Sequence, residues 1–90
     1  MRLVWKPLAL HDRERIMDHI ALENPQAALD LDTLFEQKAD KLIAHPEMYR
    51  AGRKRGTREM VAHPNYIVIY RIRDNTVEIL RVKNTAQRWP

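Results

Sequence analysis

Residues 65–83, NYIVIYRIRDNTVEILRVK, decide the fold. NYIVIYRI (65–72) and TVEILRVK (76–83) are rich in Val, Ile and Tyr, the side chains that suit a pleated, half-buried surface. Asp74-Asn75 between them tolerates the positive φ angles of a two-residue hairpin turn, so two antiparallel strands are predicted. Alternation puts Tyr66, Val68, Tyr70 and Ile72 on one face, and Ile67, Ile69, Arg71 and Arg73 on the other. The first set is the more apolar along its whole length and is expected to meet a helical layer. Arg71 and Arg73 then look outward.

Upstream, REMVAH (58–63) has the same character and adds a third antiparallel strand. It overlaps RAGRKRGTREM (50–60), in which five of eleven residues are basic. Residues 46–56 read as a loop holding both glycines of the chain, Gly52 and Gly56, as hinges that present Arg53, Lys54 and Arg55. Further back the hydrophobic period changes. Ala28, Leu31, Phe35, Ala39 and Leu42 recur at three and four, widened by Leu34 and Ile43, while Asp30, Asp32, Lys38 and Lys41 take the opposite face. This helix starts at Asn24-Pro25, a capping side chain followed by the residue best tolerated at the first helical position. It runs to about residue 44, where His45-Pro46 ends it. An earlier helix over 9–23 places Ile16, Met17 and Ile20 on one face and turns Arg13, Glu14 and Asp18 outward. RLVW (2–5), closed by Lys6-Pro7, reads as an edge strand in which Trp5 packs. The order is β-α-α-β-β-β. It implies an α+β fold with a helical hairpin on one face of a small, mainly antiparallel sheet, in a single domain over residues 1–90.

The net charge of +4 is unevenly spread. Residues 1–45 carry six Lys/Arg against eight Asp/Glu, and residues 46–90 carry ten against four. A local positive field of this kind suits a polyanion or an acidic protein. There is no cysteine, which excludes disulfides and Cys-based metal sites; no metal or cofactor is expected. MRLVWKPLAL fits neither a signal peptide nor a membrane span, so a cytoplasmic chain without a membrane partner is expected.

Four pieces taken in order carry a family likeness: NP at 24–25, HPEMYR at 45–50, GTREMVAHPNYIVIYRI at 56–72 and VEILRVKNTAQRWP at 77–90. Together they resemble the RelE/ParE superfamily of bacterial toxins over nearly the whole chain. The resemblance implies a small cytosolic toxin encoded beside a cognate antitoxin that wraps it, with operator DNA met only through the antitoxin complex. Members similar to RelE enter the ribosome and cleave mRNA, whereas members similar to ParE bind DNA gyrase. One fold hosts both, so the site residues must decide.

Cleavage by 2′-hydroxyl attack requires a proton acceptor, cations for the phosphorane and an acid for the leaving oxygen. Arg58 stands at one basic position of the RelE branch. Met60 occupies a second, Ile67 follows Tyr66 where that branch has Arg, and Trp89-Pro90 stands where it has a Tyr. Lys83-Asn84 replaces a histidine common among relatives. The residues left for nuclease chemistry are Arg58, His63, Arg81 and Lys83, with Glu59 a nearby acid; His63 before Pro64 reads better as a structural or solvated turn residue, and His11 and His19 as surface residues. Arg50, Arg53, Lys54, Arg55, Arg71, Arg73, Arg88 and Trp89 are the candidates for recognising a target or antitoxin. The bland alternatives are a solvated loop and a packed Trp89. The resemblance joined to these departures favours the ParE-like branch, with gyrase as target. An mRNA interferase, and an inactive toxin serving only in antitoxin-linked autoregulation, are the alternatives.

Overall fold

The computed structural model describes residues 1–86. Its elements are β1 (Arg2–Trp5), α1 (Pro7–Ala21), α2 (Pro25–Asp40), β2 (Arg50–Ala51), β3 (Arg58–His63), β4 (Tyr66–Arg73) and β5 (Thr76–Asn84). A single 3-10 turn, Lys41–Ile43, closes α2. The sheet order is β1-β5-β4-β3-β2, antiparallel throughout except for the parallel β1–β5 pair at one edge. The α+β reading therefore holds, with one strand more than the sequence suggested. β2 is two residues long, too short to leave a periodic signal, and lies inside the segment expected to be loop.

Several boundaries follow from local chemistry. Pro7 ends β1 and also begins α1, because its missing N–H is one that a helix start leaves unbonded anyway. Lys6 joins the two: its N–H donates to the Ile79 carbonyl (2.9 Å), and its own carbonyl accepts from the Leu10 N–H (3.1 Å). Asn24 caps α2 through its side-chain oxygen, which accepts from the Ala27 N–H at 3.0 Å. Asn24→Ala is expected to cost about 1 kcal/mol, read as a small fall in thermal midpoint. Asp74 and Asn75 sit at φ 51° and 55°, the left-handed pair of a type I′ turn.

The core lies between the hairpin and one sheet face. Phe35, Ala39 and Leu42 meet Met60, Ala62, Val68, Tyr70, Val77, Ile79 and Val82, with Tyr66 and Ile72 packed against them. The predicted inner face of β4 is thus the observed one. Phe35 and Tyr66 meet edge to face at 5.7 Å. In β5 the partners of Ile69 and Tyr70 are Arg81 and Ile79, so Leu80 is an extra residue and the strand changes phase there. Strict alternation from Val77 and Ile79 would have driven Arg81 into the core; the bulge buries Val82 instead.

One expectation for α1 is overturned. Arg13 is buried at 8% exposure rather than turned outward. Its Nε and Nη2 donate to the two Asp32 oxygens (2.8 and 2.9 Å), Nη2 also donates to Glu36 (2.8 Å), and the guanidinium lies 4.4 Å over the Trp5 ring. Burial acts to lower the Arg13 pKa, but the hydrogen bonds and charges of Asp32 and Glu36 outweigh it and raise the value. Acids on α2 and an aromatic on β1 make this site attractive to a cation, and neither is visible from α1 alone.

Candidate functional site

The basic segment is a closed turn. Gly52 N–H donates to the Thr57 carbonyl at 2.7 Å, while the Thr57 N–H and hydroxyl both donate to the Lys54 carbonyl (3.2 and 2.5 Å). Gly56 adopts φ 81°, the left-handed region that favours glycine. A side chain at Gly52 would collide with Thr57 Oγ1. The two glycines are therefore fixed points of a tight loop, not hinges. Gly52→Ala is expected to cost about 1–3 kcal/mol through this overpacking, measurable as a lower urea midpoint.

Below the loop lies Glu59, 2% exposed and opposite Ile69 on the sheet face away from the helices. Its Oε2 accepts the Arg53 N–H at 2.8 Å, and its Oε1 lies 3.3 Å from Arg50 Nη2 and 3.9 Å from Arg53 Nε. A carboxylate this buried is tolerable only with such partners. Arg50 and Arg53 form the base of the loop, and Lys54 and Arg55 are exposed near its tip. On the same outer face Arg71 donates to Glu78, Lys6 lies 3.8 Å from that carboxylate, and Arg73 pairs with Asp74 at 3.7 Å. The hydrogen bond from Arg71 holds the Glu78 carboxyl below its usual range against the opposing effect of burial, and Lys6 and Arg73 lower it further. Six of the residues singled out for recognition thus share the loop and outer face. Arg88 and Trp89 lie outside the described residues.

The nuclease candidates are placed differently. Arg58 is aligned with Tyr70 on the helix-facing side, and its Nη1 donates to the carbonyls of Glu47 (3.1 Å) and Tyr49 (2.7 Å). Beside it the Tyr70 hydroxyl donates to the Pro46 carbonyl at 2.7 Å; burial raises its pKa, partly offset by the charge of Arg58. His63 accepts the Asn65 N–H on Nδ1 (3.1 Å) within the turn between β3 and β4. It is five residues from Arg58, roughly 17 Å along an extended strand. Arg81 forms a two-pronged pair with Asp12 of α1 (2.8 and 2.9 Å), whose hydrogen bonds raise its pKa against the effect of burial. Lys83 is aligned with Ile67. Among the described residues no group of three His, Asp or Glu could hold a metal ion. No helix there is long and apolar enough to cross a membrane.

Asp12 escaped the sequence reading. It is 7% exposed and accepts from the Val82 N–H (2.9 Å) as well as from Arg81. β1 reaches only as far as Ile79 along β5, so this carboxylate caps the strand edge beyond it. A signal did exist: Ala9, Asp12, Ile16 and Ile20 share one helical stripe, and a carboxylate there needs a buried donor.

Comparison with known proteins places this geometry. Residues 3–89 match the family model described as the ParE toxin of the type II toxin-antitoxin system, parDE. Over 90 residues the chain is 37% identical to "Putative toxin Y4kP" of Sinorhizobium fredii, covering 99% of this chain and 93% of that protein. It is 33% identical over 86 residues to "Toxin RelE2" of Caulobacter vibrioides, covering 96% and 97%. The solved chromosomal ParDE system of P. aeruginosa contains a chain of the same fold, with a TM-score of 0.85 at 23% identity over 93% of this chain and 95% of that one. The chain belongs to the ParE toxin family of type II toxin-antitoxin systems.

Proposed function

We propose that this toxin acts by binding an essential protein target, DNA gyrase, through its arginine loop and the adjoining outer sheet face, and that a cognate antitoxin neutralises it. The observation that carries this reading is the division of labour among its cations. Arg50, Arg53, Lys54 and Arg55 are gathered on a rigid loop anchored by Glu59, while the Arg58 and Arg81 guanidinium groups and His63 Nδ1 are engaged in bonds that hold the fold together. A rigid cationic loop steers and orients an acidic surface with little ordering cost. Phosphate cleavage instead requires a base, an acid and cations around one atom.

The test is supercoiling by purified gyrase in the presence of the toxin, with inhibition expected at micromolar toxin. Primer extension on translated mRNA after induction should show intact transcripts. Codon-linked breaks would assign the chain to the mRNA-cleaving branch instead, and an absence of growth arrest would assign it an autoregulatory role only.

A further inference from the structure

The arm that leads the chain into the arginine loop is held by side chains. Residues 44–49, between the 3-10 turn and β2, form neither helix nor strand. β2 itself ends the sheet and pairs on one side, Arg50 with Glu59 and Ala51 with Arg58. Two rungs at an open edge are a weak hold, since segments with few backbone bonds open first. The rest of the hold comes from a single rung deeper in the sheet, where Arg58 of β3 stands opposite Tyr70 of β4. Arg58 Nη1 bridges the carbonyls of Glu47 and Tyr49, and the Tyr70 hydroxyl reaches the Pro46 carbonyl. Three carbonyls of residues 46–49 are thus bound by two neighbouring side chains. Tyr49 directly precedes Arg50, so the grip ends where the first cation of the loop begins.

We infer that Arg58 and Tyr70 are positioning residues for the arginine loop: together they fix residues 46–49, and so set where Arg50 stands against Glu59. The inference rests on the role proposed above for the loop in target binding. Arg58 serves here by the shape of its guanidinium, because one nitrogen aims two hydrogens at two carbonyls. A lysine would keep the charge but not that planar fork. Tyr70 is the sharper witness. It is fully buried in the core, so it cannot touch a partner protein, and any effect of its hydroxyl on binding passes through the arm. An arm released from this grip has to be ordered again at the moment of binding, which weakens the complex.

The experiment compares wild type with Tyr70→Phe, Arg58→Lys and Asn24→Ala, the last lowering stability at the far end of α2. Amide exchange is followed along the chain, and gyrase supercoiling is titrated with each protein. Tyr70→Phe and Arg58→Lys should each speed exchange over residues 47–51 about fivefold, the ratio that one ordinary hydrogen bond is worth. The β4–β5 amides should change no more than in Asn24→Ala. Potency against gyrase should fall by a similar factor in the first two variants and stay at the wild-type level in Asn24→Ala. Either of the first two suffices if the other fails to fold. Unchanged exchange over residues 47–51 overturns the inference, as does a uniform rise along the chain, which marks a loss of global stability alone. Full potency in spite of a loosened arm overturns it too. A wild-type toxin that leaves gyrase active refutes the gyrase reading instead, and the exchange pattern then decides whether these two residues hold the arm.

Discussion

Asp12→Ala is expected to destabilise the fold by about 3 kcal/mol, the range for removing one partner of a buried pair. The substitution leaves the Val82 N–H without its acceptor at a strand edge, and leaves Arg81, one-quarter exposed, without its counter-charge. Partial exposure lets the Arg81 guanidinium recover some hydration, which holds the cost toward the lower end. Asp12→Asn keeps an oxygen for Val82 but loses the charge, so about half the effect is expected. Urea titration separates the cases: the midpoint should fall in the order wild type, Asn, Ala, with an unchanged slope. Equal stability of the Ala variant would show that the edge cap contributes nothing.

The second large effect concerns the loop. Lys54→Glu combined with Arg55→Glu reverses two exposed charges near its tip and is expected to lower target inhibition by roughly a hundredfold, mainly through slower association. Stability should change little, since exposed side chains are replaced. Glu59→Gln is the sharper comparison. It raises the net positive charge of the face, so pure electrostatics predicts tighter binding. Loss of the anchor that holds Arg50 and the Arg53 backbone predicts the opposite, and about a tenfold loss of potency is expected. Inhibition measured at several salt concentrations would separate the two, because exposed charge effects fade within a Debye length of about 10 Å at 0.1 M salt.

What the sequence revealed were features with local causes. Asp74-Asn75, the alternation of β4, Asn24-Pro25 and the stripe on α2 each depend on neighbours in the chain, and each appears where periodicity placed it. The misreadings have distant causes. Arg13 turned inward because Asp32, Glu36 and Trp5 wait for it across the hairpin and on β1. β2 formed where Arg50 and Ala51 pair with Glu59 and Arg58, a contact without helical or strand periodicity of its own. The charge of the candidate site was plain from RAGRKRGTREM. Its order was not, since Glu59 reads on paper as one more polar residue of a strand. The bulge at Leu80 was equally hidden, although the run Ile79-Leu80-Arg81-Val82 breaks alternation at that point.

The parallel edge pair has a consequence for synthesis. Among the described residues β1 bonds within the sheet to β5 alone, so residues 2–5 wait for residues 76–79 before they can be paired. Everything from the hairpin to β4 can begin to assemble as the chain emerges, but closing the sheet requires residues 76–79, which follow both helices and every other strand described. Leu3 and Trp5 therefore stay without their strand partners on any nascent or truncated chain that stops short of Val77 and Ile79, and the sheet closes only after that segment has been made.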